Sequence, residues 1–542
     1  MKQRVSFLYI ILVFNLILIS CSKSPEARPA QLDSIEINIF AQQAATQNLR
    51  TNDFTKFLEG KFNVFFNWDI VPYDGAKEKR QISLASGNYA DAYILTSYID
   101  QFSQADVLRY GKQGVFIPLN DLIDQYAPHV KAAIINDASL RAINTAPDGN
   151  IYGLVGYSGC FHCYYPNKLW LNTKWLKQLK LEMPRTTEDF KKVLEAFKHQ
   201  DPNGNGIADE VPLSGSTENF GVHVIPYLMN GFIYNDDRNF LIMSNGKVDT
   251  AANKLQWREG LAYIKSLFDE GLIDPGAFTQ NADTFKKMGE NAEAQILGAG
   301  AGMHPAIFVD TGPDNKRGGD YNPLPPLTGP HSSFAVYHEN GAVPGAKFVI
   351  TNKASKDAQI ALIKMVDYMF TPDGQAFAEV GKEGVEWRRP IEGEKALGND
   401  VTPAFMRIPF KEGDKPNNSG WGGMGHFYMP KEYRDSWVQG LDIYAPDGYE
   451  RRLYEATQLY ESKQPKELFP VWAVWIDADE ADEAGILQTN IRNYVDQNTI
   501  QFITGNKDLN EEWDTYVKGL DNMQMDRYLE IMQKAYDTSY RK

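Results

Sequence analysis

At 542 residues, 43% hydrophobic and 23% charged, the chain exceeds what one hydrophobic core supports, so a globular protein of two lobes is expected. Its formal net charge of -15 argues against nucleic acid or an anionic lipid surface as the main partner. Aromatics make up 12% of residues; ring faces that stack on the C–H faces of sugars favour carbohydrate, although core filling accounts for most of them.

The chain opens with Lys2 and Arg4, then an apolar run from Val5 to Leu18-Ile19-Ser20-Cys21. A basic start and a short apolar stretch form an export signal, residues 1–20, and the run is too short and one-sided to favour a permanent membrane span. Its end fits a lipobox, with cleavage before Cys21 and acylation of that cysteine. Residues 21–33 are polar and contain proline, as a tether should be. The mature protein is therefore expected on the extracytoplasmic face of the cell membrane, held there by lipid.

Next come a strand at Ile35–Phe40, helical residues Phe54–Leu58 and a strand at Val64–Trp68. A helix ending near Gln81–Ala85 and a strand at Ala92–Thr96 follow. This β-α-β-α-β order predicts a parallel sheet covered by helices. Ligands on such sheets sit at the carboxyl ends of strands, which singles out the strand bracketed by Asp91 and Thr96. Trp170 and Trp175 fall in an apolar helical stretch and read as core. Thr186 and Asp189 form a capping box ahead of Phe190, Val193, Leu194 and Phe197, spaced for one helical face. A helix over Leu261–Phe268 is stopped by Gly271. Gly298–Gly302 reads as a turn or close packing, and Pro323–Pro330 as a stiff extended connector. A strand at Lys347–Thr351 precedes a helix bearing Leu362, Met365, Val366 and Met369. The final third, from Val401, is rich in loops and aromatics and ends in helices such as Met523–Tyr536.

Asp201-Pro-Asn203-Gly-Asn205-Gly206-Ile207-Ala-Asp209-Glu210 is the sharpest internal motif. Oxygen-bearing side chains at positions 1, 3 and 5 with glycine at 6 match the first half of an EF-hand loop. Ile207 would offer its carbonyl, and Asp209 a carboxylate. Pro212 stands where the bidentate glutamate belongs, a role Glu210 can take. All-oxygen ligands suit calcium, here structural, because the ligands are local. An Asn/Gly turn without an ion is the alternative. Cys160 and Cys163 flank Phe161-His162; outside the cell a local disulfide is expected, with zinc as the weaker alternative.

No Gly-x-Ser-x-Gly, His-Glu-x-x-His or P-loop occurs. Trp421 lies among glycines and asparagines, either exposed for stacking on a sugar or pinning a loop to its lobe.

Several segments together resemble extracellular solute-binding proteins of the family-1 type, in the lipoprotein branch that includes alginate-oligosaccharide-binding proteins of ABC importers. They are Leu84–Asp91, Ala146–Gly153, Leu169–Leu176, Pro184–Phe197 running into the Asp201 loop, Glu270–Asp274 and Gly381–Trp387. The resemblance implies an α/β periplasmic-binding-protein fold of the second type. Lobe one would span 34–153 with a return segment at 346–391, and lobe two 154–345 and 392–542. It implies calcium on Asp201, Asn203, Asn205, Ile207, Asp209 and Glu210. It also implies a cleft contacted by Asp91, Tyr152, Tyr157, Trp387, Arg388, Arg389 and Trp421. The two arginines would clamp a uronate if either faces the cleft, and would not if both pair with surface acids. The implied protein is a monomer without catalysis, delivering an oligosaccharide to ABC permease subunits. The alternatives are a surface polysaccharide hydrolase or lyase, and a binding subunit that signals to a sensor kinase.

Overall fold

A computed structural model describes residues 34–45, 47–312, 316–338, 343–408 and 418–539; the expected export signal and Cys21 lie outside them. Lobe one is built on three parallel strands, β1 (Ile35–Gln43), β2 (Val64–Pro72) and β3 (Ala92–Ile94), with the order β2-β1-β3. Ile35 is paired with Val64, and Ile39 with Ala92. The return strand Phe348–Ile350 closes the sheet antiparallel to β3. Parallel neighbours need crossovers, supplied by α1 (Asp53–Phe62) and α2 (Ala76–Ala85). The α1 start is set by Asn52, whose side chain accepts from the amides of Phe54 and Thr55. Its end is set by Asn63 in the left-handed conformation, φ 51°.

The start of α1 also corrects the expected division of the chain. The amides of Asp53 and Phe54 donate to the carbonyls of Asn418 and Ser419, and Asn52 Nδ2 donates to the carbonyl of Gly420. Trp421, Met424, Phe427, Trp472 and Ala473 are then buried in lobe one's core. Trp475 joins its second apolar cluster and donates to the carbonyl of Ala142. Residues 418–427 and the side chains of Trp472, Ala473 and Trp475 thus pack with lobe one, although 392–542 was expected wholly in lobe two; Val474 between them packs in the lobe-two core. Free amides at a helix start are strong local docking points that hydrophobicity patterns do not reveal.

Lobe two centres on the strand Leu169–Asn172, antiparallel to Ala299–Ala301 on one side and Tyr321–Leu324 on the other. Leu169–Asn172 is therefore a strand where a helix was expected, while Trp170 and Trp175 are core as predicted. Ala299–Ala301 is likewise a strand, and its glycine is a packing device: a Cβ on Gly300 would come within 2.7 Å of the Phe308 ring. Pro323 sits in an edge strand, where a missing N–H is tolerated. The helix Thr187–His199 carries the predicted capping box and buries Phe190, Val193, Leu194 and Phe197. The helix Leu255–Asp269 ends ahead of Gly271 at φ 64°. A further apolar cluster gathers Trp387, Phe405, Tyr433 and Trp437. The chain leaves lobe one through Leu154, bridged to Phe348, and through Tyr157–Ser158, paired in parallel with Tyr428–Met429.

Candidate functional site

A cavity of about 200 Å³ opens where lobe one, the aromatic cluster and lobe two meet. Its lining includes Glu379, Arg407, Met429, Arg434, Trp437 and Glu450. Glu379 ends a helix whose Ala378 is in lobe one's core. Glu450 lies on the helix Tyr449–Gln458, whose Leu453 and Ala456 pack against Trp170 of lobe two. Both carboxylates have cationic partners: Arg407 lies 3.1 Å from Glu379, and Arg434 3.4 Å from Glu450. Arg407 also covers the Trp437 ring at 5.1 Å.

Three imidazoles belong to the same region. His162 stands 3.6 Å from Glu450, His304 packs edge-on to Tyr449, and the His426 carbonyl accepts from the Lys347 ammonium. Burial pushes His304 and His426 down to about 4 and holds His162 well below the ordinary imidazole value. All three are neutral donor–acceptors near pH 7. Burial also pushes Lys347 down to about 7, against the carbonyls of Gly423, Met424 and His426 that favour its charged form.

Several polar atoms here are buried without a hydrogen-bond partner: Glu379 Oε2, His426 Nε2, His304 Nδ1, Ser97 Oγ and the hydroxyls of Tyr433 and Tyr449. A buried polar atom left unpaired costs about 1–3 kcal/mol, so such a group is poised for a ligand with hydroxyls. Tyr73 and Thr96-Ser97-Tyr98 follow the carboxyl ends of β2 and β3. Tyr98 is 68% exposed, edge-on to Tyr73 at 6.5 Å. It lies so close over Gly423 that a Cβ there would come within 2.5 Å of its ring. On lobe two the exposed Phe220 accepts at its carbonyl from the amide of Met303, next to His304. The edges thus offer aromatic faces and the interior offers unpaired polar atoms.

None of the seven residues expected at the cleft lines this cavity. Asp91 precedes β3, so it lies at the amino edge; its carboxylate accepts from the backbone and side-chain nitrogens of Asn38 at 2.7 and 2.9 Å. Tyr152 is in lobe one's core and donates to Asp148. Tyr157 is buried and stacks on Tyr428. Trp387 is buried, with its indole N–H on the Gly381 carbonyl. Arg388 forks onto Glu394, and Arg389 binds Glu383 and Asp373, so the condition for a uronate clamp is not met. Trp421 is fully buried, donates to Thr55 Oγ1, and packs edge-on to Phe54 and Trp68. It pins its loop to lobe one. Tyr98 and Ser97 were within reach of the rule that marks carboxyl ends of strands. His304, Glu379 and Glu450 carried no signal of their own.

Residues 42–376 match the family model described as bacterial extracellular solute-binding protein. The chain belongs to the bacterial extracellular solute-binding proteins. It is 30% identical over 497 residues to the fructooligosaccharide ABC transporter substrate-binding protein FusA of Streptococcus pneumoniae, covering 89% of this chain and 86% of that one. The solved EF-hand mutant of FusA in complex with fructo-nystose superposes with a TM-score of 0.70 at 26% identity, covering 93% of this chain and 99% of that one. The structure of the alginate-binding protein AlgQ2 without calcium ion shares the fold, with a TM-score of 0.62 at 22% identity over 93% of this chain and 99% of that one.

In this solute-binding protein the Asp201 loop curls through three positive φ angles, Asp201 at 46°, Gly204 at 73° and Gly206 at 74°. The Asp201 carboxylate accepts from the amides of Gly204, Asn205 and Gly206. Asp209 accepts from the side chains of Asn203 and Asn205. Glu210 Oε1 is buried with no partner. Burial and the nearby charges of Asp201 and Asp209 hold the Glu210 carboxyl above its ordinary value. Three carboxylates and two side-chain amides curled into one loop, with Glu210 Oε1 unsatisfied, are a donor set that fits a hard cation. Cys160 and Cys163 are joined in a disulfide. With both sulfurs bonded to each other, no thiolate remains beside His162 for zinc.

Proposed function

We propose that this solute-binding protein captures a neutral oligosaccharide of the fructooligosaccharide kind and presents it to an ABC importer, with no bond made or broken. The observation that carries this reading is the interlobe cavity. Glu379 Oε2 in its lining and the unpaired polar atoms of His304, His426, Tyr433 and Tyr449 around it ask for hydroxyls, and the lining carboxylates of Glu379 and Glu450 are already matched by arginines. A ligand rich in hydroxyls and free of charge satisfies the first without upsetting the second. The 30% identity to FusA supports the sugar class. Hinge closure of the lobes around the sugar would create the form that permease subunits recognise. The chain would act as a monomer, held to the membrane through the acylated Cys21. Calcium would be held by Asp201, Asn203, Asn205, Ile207, Asp209 and Glu210, and its chemistry would be charge neutralisation that locks the loop. FusA was itself solved as an EF-hand mutant.

Calorimetric titration of the mature chain with fructo-nystose and with alginate oligosaccharides tests the sugar, with product analysis of the same samples. One-to-one binding of the fructan without new reducing ends is expected. Tighter binding of the alginate oligosaccharide, or accumulating products, would overturn the reading. Lipid incorporation into the precursor, lost in Cys21→Ser, tests the anchor.

A further inference from the structure

A second cavity, of about 160 Å³, lies wholly within lobe two. Its walls come from residues 217–278 and from the helix Ala481–Ile503, with no contribution from lobe one. By share of liquid volume it has room for about five waters, or for one sugar ring. Two ion pairs stand in its wall. His223 Nδ1 lies 2.9 Å from Asp237 Oδ1, and Arg492 Nε 3.5 Å from Asp496 Oδ2. Phe240, Phe278 and Pro226 supply apolar surface.

Two residues of the lining each carry a buried polar atom with no partner, Trp257 Nε1 and Thr499 Oγ1. Both side chains are more than nine-tenths buried, Trp257 at 1% and Thr499 at 4% exposure. The state of Thr499 is unusual for a helical threonine, whose hydroxyl commonly bonds back to the preceding turn. Thr489 and Thr504 of the same region do so, donating to the carbonyls of Gly485 and Ile500 at 2.8 Å. A threonine hydroxyl and an indole N–H, buried on different helices around one cavity, are a matched donor and acceptor pair without a bond between them.

We infer that lobe two carries a second binding site, separate from the interlobe cavity, for one small neutral polyol of monosaccharide size. A sugar hydroxyl accepts from the Trp257 indole N–H, another bonds the Thr499 hydroxyl, and others reach the carboxylates of Asp237 and Asp496. The sugar's apolar face lies against the aromatic wall. Charged ligands are disfavoured because the wall's acids already have partners, Asp496 in Arg492 and Asp237 in the His223 ring.

The test is ligand-observed NMR titration of the mature chain with D-glucose and D-fructose, alone and with the interlobe site saturated by fructo-nystose. One of the two sugars is expected to bind with a dissociation constant on the order of 1 mM, unchanged by fructo-nystose and unchanged in Arg434→Ala. The isosteric Thr499→Val and the conservative Trp257→Phe each weaken it about tenfold, with circular dichroism showing both variants folded. Absence of saturable binding by both sugars would overturn the proposal and leave a water-filled void. Displacement by fructo-nystose, or full affinity in both variants, would overturn it equally. Because the two variants lie outside the interlobe cavity, failure of the oligosaccharide reading in calorimetry does not alter these outcomes.

Discussion

The Asp201 loop and the interlobe cavity are both acid-bearing hollows, assembled in opposite ways. The loop draws every candidate ligand from ten consecutive residues, and two glycines and the left-handed Asp201 curl it upon itself. The cavity draws Glu379 from one lobe, Trp437 from an aromatic cluster and Glu450 from the other lobe. A site made by local backbone geometry exists whenever that segment is folded. A site made by two lobes exists only in the arrangement that brings them together, and it can therefore respond to what it binds. Damage to the first should change stability and spare the ligand; damage to the second should do the reverse.

The largest expected effect belongs to neither region but to the core of lobe one. Trp421→Ala should cost about 3–5 kcal/mol by emptying a buried aromatic site, read by chemical denaturation. Trp421→Phe should keep full sugar affinity, and a loss of affinity there with normal stability would return Trp421 to the ligand site. Next comes the ion. With calcium about a thousandfold above its dissociation constant, chelation should remove about 4 kcal/mol, seen as a drop in melting temperature that is absent in Asp201→Ala. Sugar affinity should move less than twofold, and a larger change would break the separation of the two regions.

Arg434→Ala should weaken fructo-nystose binding at least about thirtyfold, or about 2 kcal/mol, with little change in melting temperature. It strips Glu450 of its partner and leaves that carboxylate facing the ligand. The smallest effect is a pH dependence. His304 and His426 titrate near 4 in the fold against an ordinary 6.5, so the unfolded chain binds more protons between those values. Stability should therefore fall as pH drops below 6.5, by on the order of 1 kcal/mol for each imidazole at pH 6. Melting temperature against pH in His304→Gln should show a shallower decline, and an unchanged slope would mean that this imidazole is not buried neutral.

Local patterns carried most of the elements. The alternation of β1 to β3 with their helices, the capping box at Thr186 and Asp189, and the stop at Gly271 all follow from contacts within a few residues. Where neighbours in space decided, the pattern misled. Leu169–Leu171 is uniformly apolar, and the strand through Asn172 is buried on both faces, so it lacks the alternation that marks a half-exposed strand. Ala299–Ala301 has small residues because Phe308 packs against it. Arg388 and Arg389 looked like a clamp, but their acids were Glu394, Glu383 and Asp373, a few residues away or one helix over.

From the amino-acid order alone came the two-lobed α/β class, the family resemblance, the ion-loop motif and the expectation of a lipidated export signal, because each rests on short runs of residues adjacent in the chain. The tertiary structure alone decided that Trp421 is core, that Asp91 lies at the amino edge of β3, and that Ser97, His304, Glu379 and Glu450 gather in one region. Those outcomes depend on segments hundreds of residues apart meeting at a particular edge of a sheet, and which side chain such an edge leaves unpaired is settled by packing.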